Sequence, residues 1–152
     1  LWDEENGEAV PFAEGTWKLR FDVRYEDASI TLGGGETFTQ DGMTFTIDSI
    51  TLSPVAMKVD YTADEEVVWS GNESGRQSDE DAEQMARYME NVEILLTRTD
   101  GTVMDLSSSG GSISPEDGTT VCSKSQVFSE IIPMEEMASI SVGGVVFPIQ
   151  AE

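Results

Sequence analysis

Carboxylates are the side chains of this sequence that could perform acid–base chemistry or hold a metal ion. The chain of 152 residues carries 30 Asp and Glu against 8 Lys and Arg, which gives a formal net charge of −22. A glycosidase needs two carboxylates across a cleft, with the pKa of one raised by an apolar pocket. Because any pair can be drawn from so many acids, no pair indicates a catalytic site.

Histidine, the commonest general base and metal ligand, is absent from the sequence. Ser-His-Asp and Cys-His sites are therefore excluded within this chain. The one cysteine, Cys122, cannot form an internal disulfide or a zinc site, and it lies in the strand-like run "TTVCSKSQVF". We expect Cys122 to be a small buried side chain rather than a reactive thiol. The residues thus predict a protein that is not an enzyme, with no catalytic residues and no cofactor.

Calcium is the ion that the acidic side chains favour, since it takes carboxylate and carbonyl oxygens. Three turns contain Asp-Gly, at Asp41-Gly42, Asp100-Gly101 and Asp117-Gly118, but none lies in an EF-hand pattern. The acid-dense stretches "TADEE" (62–66) and "SDEDAE" (78–83) could hold an ion, although such runs are more often solvated loops. Weak calcium binding is therefore kept as an alternative, with no metal ligand assigned.

Aromatic side chains could bind a sugar by stacking, and the three tryptophans are the candidates. Trp17 lies on the apolar face of an alternating run and is assigned to the core. Trp69 belongs to a short apolar patch, Val67–Trp69, flanked by loops. Trp69 is the one residue that we assign as a ligand contact.

The composition limits the domain count and the partners. With 38% hydrophobic residues a chain of this length can bury one core. The net charge argues against nucleic acid, whose phosphates it would repel, and against anionic membrane surfaces. Residues 1–14 carry five acids and no base, which indicates an acidic arm or linker that Trp2 and Phe12 could hold to the body. Residues 15–152 are predicted to form a single β-sandwich domain.

The run "TWKLRFDVRY" alternates strictly between apolar and polar residues. Its apolar face comprises Trp17, Leu19, Phe21, Val23 and Tyr25. Its opposite face holds three of the eight basic residues of the chain. This alternation predicts a half-buried strand with a cationic outer face.

The stretch "FTIDSITLSPVAMKVDYT", Phe45–Thr62, changes phase part-way. Apolar residues fall on odd positions up to Ile47 and on even positions from Ile50. One inserted residue has this effect on a period of two, so we predict a β-bulge at Asp48-Ser49. The following Ser-Pro ends the strand, because proline has no N–H to donate. The return strand, Val55–Tyr61, is predicted to face the same core.

Two tight hairpins are predicted from their turns. Asp41-Gly42 and Gly143-Gly144 are favoured two-residue hairpin loops. The second loop would pair Val142 with Val145, and Pro148 then indicates an edge strand. By contrast, "SSSGGSISPEDGTT" (107–120) is predicted to be a polar loop.

Residues 78–91, "SDEDAEQMARYMEN", are predicted to form the one helix. Ser78 can cap it, and the acids of its first turn favour the helix dipole. Its apolar stripe at i, i+3, i+4 and i+7 would dock on a sheet. That stripe consists of Ala82, Met85, Ala86 and Met89. Further on, Pro133 lies at the start of a predicted single helical turn.

Eight to ten short strands with regular turns and one inserted helix predict a mainly β fold. The pattern is that of an immunoglobulin-like antiparallel β-sandwich with one short α-helix at about 78–91. The Cys…Trp…Cys signature of antibody domains is absent.

Three stretches resemble a pair of Firmicute families, the domain-of-unknown-function families 4179 and 5643. They are "GTWKLRFDV", "DGMTFTIDSITLSPVAMKVDYT" and "ISVGGVVFPI", and the resemblance covers about residues 15–62 and 128–150. Members of these families are typically anchored by one membrane helix, with a β-rich domain outside the cell. Several resemble anti-sigma-factor or sigma-regulator proteins in organisation. The resemblance implies a gut-type Gram-positive source and brings no catalytic residues.

Taken together, these observations predict a non-enzymatic extracytoplasmic domain with a sensory or interaction role. It would belong to a membrane-anchored, sigma-factor-regulating bacterial protein and bind an envelope protein or an extracellular ligand. The chain opens without an initiator Met, so we expect a transmembrane anchor upstream. The alternative is a secreted accessory module that binds carbohydrate or calcium.

Overall fold

Short antiparallel strands make up most of the chain. The computed structural model describes residues 15–22, 27–71 and 75–149, together with the backbone of a two-stranded ladder, β1 (Trp2–Asp3) with β2 (Glu8–Ala9). The predicted contacts of the Trp2 and Phe12 side chains with the body lie outside the described residues. So do Val23 and Tyr25.

Ten further strands form two antiparallel sheets. The large sheet contains β3 (Ile30–Leu32), β4 (Glu36–Gln40), β5 (Met43–Leu52), β6 (Ala56–Ala63), β9 (Gly110–Glu116) and β10 (Thr119–Val127). Its order is β3-β5-β6-β10-β9, and β4 pairs with β5 as well. The small sheet contains β7 (Ile94–Arg98), β8 (Val103–Asp105), β11 (Met137–Val142) and β12 (Val145–Pro148), in the order β12-β11-β7-β8. The prediction of a mainly β antiparallel sandwich with one short helix is confirmed.

One hydrophobic core is shared by the two sheets. Alternate residues of each strand point into it, for example Phe45 and Ile47 from β5 and Ile94 and Leu96 from β7. Phe38 stacks on Phe45 with 5.0 Å between ring centroids. Burial of each such side chain contributes about 1.5–3 kcal/mol, so the core is the main force that holds the sheets together.

The predicted β-bulge is present in β5. Ile47 pairs with Tyr61 and Ser49 pairs with Asp60, so Asp48 is the extra residue. The apolar residues before and after it are all buried, although they differ in parity. The bulge therefore lets the whole of β5 face one core, as the phase change in the sequence predicts.

The two predicted hairpin loops are confirmed. Both residues of each loop have positive φ, 52° and 79° at Asp41-Gly42 and 57° and 86° at Gly143-Gly144, as a type I′ turn requires. Val142 pairs with Val145. Pro148 lies in β12, which is an edge strand of the small sheet.

The prediction of a polar loop over residues 107–120 is wrong. A third hairpin lies there: Asp117-Gly118, with φ of 40° and 91°, joins β9 to β10. β9 is an edge strand whose only half-buried side chain is Ile113. Because such a strand contributes little to the core, its sequence lacks the apolar alternation that would mark it.

The first predicted strand is also wrong for the residues that the structure describes. Residues 15–22 join no ladder among them, and Trp17, Leu19 and Phe21 are 75%, 80% and 76% exposed. Strict alternation gives a segment an apolar face but does not specify which sheet edge it pairs with. The prediction that the return strand begins at Val55 and that this residue faces the core is also wrong. Val55 lies in the turn before β6 and is half exposed.

The predicted helix is present and changes type half-way. Helix α1 (Asp79–Met85) is α-helical, and the Ser78 hydroxyl accepts a hydrogen bond from the Asp81 N–H at 3.1 Å. The following turn (Ala86–Glu90) is a π-helix, in which the Asn91 N–H donates to the Ala86 carbonyl at 2.9 Å. Pro133 likewise precedes the predicted short turn, a 3₁₀ helix at Met134–Glu136.

The π-helical turn rotates the docking face away from the predicted stripe. Met89 is buried as expected, but Ala82 is exposed, and Tyr88, outside the stripe, is buried. A π turn inserts one residue into the helical repeat. Residues after Met85 are therefore displaced around the axis relative to an ideal α-helix.

Candidate functional site

An open groove lies between the end of the helix and the loop that connects β8 to β9. Its volume is about 480 Å³, and its lining includes Met85, Met89, Glu90, Asp105 and Ser107–Gly111. This size is within the range of small-molecule sites. The lining combines thioethers, carboxylates and hydroxyls, so the groove could accept a small ligand with an apolar part and a positive charge.

Lys124 is bonded to two of the residues that line this groove. It is 1% exposed, and its Nζ donates to the carbonyls of Met89 (2.8 Å), Val92 (3.0 Å) and Ser107. Burial lowers the pKa of Lys124 to about 8, although the charges of Asp105 and Glu90 act in the opposite direction. Because three acceptors occupy the three hydrogens of the ammonium group, Lys124 acts as a structural clamp and not as a nucleophile.

This clamp joins three parts of the fold. Lys124 belongs to β10 of the large sheet, Met89 and Val92 lie at the end of the helix, and Ser107 follows β8 of the small sheet. The last carbonyls of a helix lack partners within it. The lysine supplies donors to two carbonyls at the end of the helix and ties the β8–β9 loop to the same point.

One more polar group holds the helix to the large sheet. The Tyr61 hydroxyl donates to the Tyr88 carbonyl at 2.6 Å. Cys122, opposite Tyr61 on β10, is buried as expected. Burial raises the pKa of its thiol to about 12, so at neutral pH the group is a protonated, apolar side chain without nucleophilic character.

The acid-dense stretches use their carboxylates to hold loops. Asp64 accepts from the Thr44 N–H at 2.8 Å, and Glu66 accepts from the Gly118 N–H at 2.7 Å. Glu65 pairs with Arg87 at 3.4 Å. Within the described ranges no group of three or more His, Cys, Asp or Glu is arranged to hold a metal ion. Calcium binding at these stretches stays a prediction.

Trp69, the predicted ligand contact, lies in a loop that is fixed on both sides. The buried Val67 donates its N–H to the Thr120 hydroxyl at 2.8 Å. Ser70 donates from its N–H and its hydroxyl to Asp81 at 2.7 and 2.8 Å. Between these anchors Trp69 is 39% exposed and Val68 is 73% exposed. They form a small apolar ledge whose residues are not part of the groove lining.

The outward side of the small sheet is almost uncharged. Side chains that alternate with the buried ones form two rows across it, which we name the outer face. Across the four strands, the first row consists of Val146, Ser141, Leu95 and Asp105. The second row consists of Pro148, Ser139, Thr97 and Val103. Only one of these eight positions is charged, in a chain with a net charge of −22. A face with a single charge on so acidic a protein is a candidate interaction surface.

Sequence reasoning missed Lys124 and the outer face. The signal for Lys124 was present, because alternation through "TTVCSKSQVF" places Lys124 in phase with the buried Cys122. The outer face could not be found from one segment, since it is assembled from four strands.

Comparisons with protein-family models, with curated proteins and with solved structures found no match. No helix within the described ranges is both long and apolar enough to cross a membrane.

Proposed function

We propose that this chain is a non-enzymatic interaction domain that binds a protein partner through the outer face. The observation that carries the proposal is the scarcity of charge on that face. Interface cores are depleted of charged residues, whereas ordinary surface is not. Val103 and Val146, on opposite edges of the sheet, supply exposed apolar area.

The acidic remainder of the surface complements this face. A net charge of −22 accelerates encounters with a basic partner and disfavours acidic ones. The partner expected on these grounds has an apolar contact area with basic residues around it.

The setting that we propose is extracytoplasmic. The resemblance of residues 15–62 and 128–150 to anchored Firmicute domains supports it. In this setting the domain is the sensory ectodomain of a membrane-anchored regulator of a sigma factor, and an envelope protein or extracellular ligand is its partner. An upstream transmembrane helix would provide the anchor.

Site-specific photo-crosslinking in cells that produce the full-length protein tests this function. A photoreactive residue at Val103, on the outer face, should give discrete crosslinked species. The same residue at Ser125, exposed on the outward side of the large sheet, should not. The substitution Thr97→Glu should abolish the Val103 product, whereas Thr51→Glu should not. No product from Val103, or equal products from both positions, would overturn the proposal.

A carbohydrate-binding role is the second candidate, because Trp69 is held half exposed on a fixed loop. Oligosaccharides would then change the tryptophan fluorescence of the protein and leave that of Trp69→Ala unchanged. Trp17→Ala is the matched control and should keep the response. Calcium binding, the other part of this alternative, requires that millimolar calcium raise the melting temperature by several degrees. An unchanged melting temperature excludes it.

A further inference from the structure

Residues 15–22, which we name the docking segment, have the sequence of a strand and no strand partner among the described residues. Trp17, Leu19 and Phe21 are more than 70% exposed on one face. Lys18 and Arg20 are on the other. Exposure of three large apolar side chains to water is unfavourable. We therefore expect that another surface covers them.

Among the strands that the structure describes, none pairs with the outer edge of β12. In β12 the residues Val145, Phe147 and Ile149 direct their backbone groups toward β11, and the Ile149 N–H donates to the Ala138 carbonyl at 2.9 Å. By the alternation of an antiparallel ladder, Val146 directs its N–H and its C=O away from β11. β12 ends its sheet, so this pair of groups can bond to one added strand.

The loop after β3 lies against the core-facing side of the same strand. Gly33, directly after β3, is so close to β12 that a Cβ placed on it would be 3.3 Å from the Phe147 ring. Ile30 and Leu32 of β3 and Val145 of β12 are only partly buried. Both strands therefore leave some apolar surface exposed.

Chain length permits the docking segment to reach this place. Seven residues, 23–29, separate it from β3, and an extended chain spans about 3.3–3.6 Å per residue, or roughly 25 Å. Charge favours the approach, since Lys18 and Arg20 outweigh Asp22 in the segment and the rest of the chain is strongly acidic.

We propose that residues 15–22 dock as an added β-strand on the free edge of β12 in the same chain. Trp17, Leu19 and Phe21 cover the partly buried apolar side chains between β3 and β12. Lys18 and Arg20 point to solvent. The segment thereby forms a strap over the seam between the two sheets. A partner that presents a similar strand would compete with the segment for the edge of β12. Docked there, Lys18 and Arg20 lie beside Val146 at the rim of the outer face, and the inference is tested separately from the proposed function.

Amide hydrogen exchange of the full chain tests the docked strap. The amides of the docking segment and of Val146 should exchange at least about tenfold more slowly than in the variant Leu19→Ser. The matched control Lys18→Ser alters the opposite face and should stay within about twofold of the wild type. The amides of β5 and β6 should remain protected in both variants, which separates undocking from loss of the fold.

Exchange measured over a range of protein concentrations identifies the occupant of the edge. Protection that is the same at every concentration, in a protein that light scattering shows to be monomeric, supports docking within one chain. Protection that disappears on dilution means that a second copy supplies the strand and overturns the proposal. Wild-type amides that exchange as fast as those of Leu19→Ser overturn the proposal too. So does an equal loss of amide protection in Leu19→Ser and Lys18→Ser.

Discussion

Replacement of Lys124 by methionine tests the clamp that joins the two sheets and the helix. Methionine keeps most of the aliphatic volume but removes the lysine donor from the carbonyls of Met89, Val92 and Ser107. The Met89 carbonyl still accepts from the Val92 N–H at 3.2 Å, and a buried acceptor without a partner costs about 1–3 kcal/mol. At about 2 kcal/mol for each of the other two carbonyls, the variant Lys124→Met loses roughly 4 kcal/mol.

Part of this loss is offset because methionine carries no charge into the interior. The fall in the pKa of Lys124 from 10.5 to about 8 corresponds to about 3 kcal/mol against the buried ammonium. We therefore expect Lys124→Met to lower the free energy of unfolding by about 1 kcal/mol at pH 7. Urea unfolding measures it, and Lys58→Met is the matched control. Lys58 is exposed on the outward side of the neighbouring strand and pairs with Asp60 at 3.2 Å, so its loss should cost less than about 0.5 kcal/mol.

The pH dependence gives a sharper result. Between pH 8 and pH 10.5 the unfolded chain holds the proton of Lys124 and the folded protein has released it. The unfolded state then binds more protons, so the wild type gains stability relative to Lys124→Met as pH rises. The difference between them should grow by about 2 kcal/mol from pH 7 to pH 9.5. A difference that is constant or shrinks would refute the reasoning, because the carbonyls would then hold the ammonium as firmly as water does.

Three other predictions concern the core and the strands. Cys122, buried with a raised pKa of about 12, should react with a thiol reagent at pH 8 only at the rate of unfolding, and at once in urea. Gly111→Ala should lower the free energy of unfolding by about 2–3 kcal/mol, because its Cβ would collide with the Ser123 carbonyl. Gly110→Ala meets nothing within 4 Å and should cost less than about 0.5 kcal/mol. Deletion of Asp48 removes the extra residue and leaves the apolar residues of β5 in one regular alternation that still faces the core, so the variant should keep cooperative thermal unfolding, and Asp48→Ala should cost less than about 1 kcal/mol.

Features that depend on neighbouring residues were predictable from the sequence. The bulge at Asp48 follows from the change of parity between Ile47 and Ile50, and the hairpin at Asp41-Gly42 follows from the φ values that these two residues tolerate. In each case the physical cause lies within a few positions of its effect.

Features that depend on the choice of a partner strand were not predictable from the sequence. β9 is a strand because the hairpin at Asp117-Gly118 delivers it to β10, although its own residues are mostly polar. The docking segment has the opposite character, with ideal alternation and no ladder among the described residues. An alternation with a period of two shows which side chains share a face of a strand. Which strand it pairs with depends on which sheet edge the rest of the chain leaves open.

The end of the helix shows why the clamp escaped prediction. A helix usually ends at a glycine in the left-handed conformation, which satisfies its last carbonyls locally. Here Asn91 and Val92 follow instead. The Val92 N–H donates to the Met89 carbonyl, and a lysine more than thirty residues later adds donors to the Met89 and Val92 carbonyls. The sequence next to the helix therefore has no glycine that marks its end, because part of the hydrogen bonding at the helix end comes from Lys124 of β10. Since the same lysine also holds the β8–β9 loop, the helix end, the large sheet and the edge of the small sheet should lose their protection from hydrogen exchange together when Lys124 is replaced.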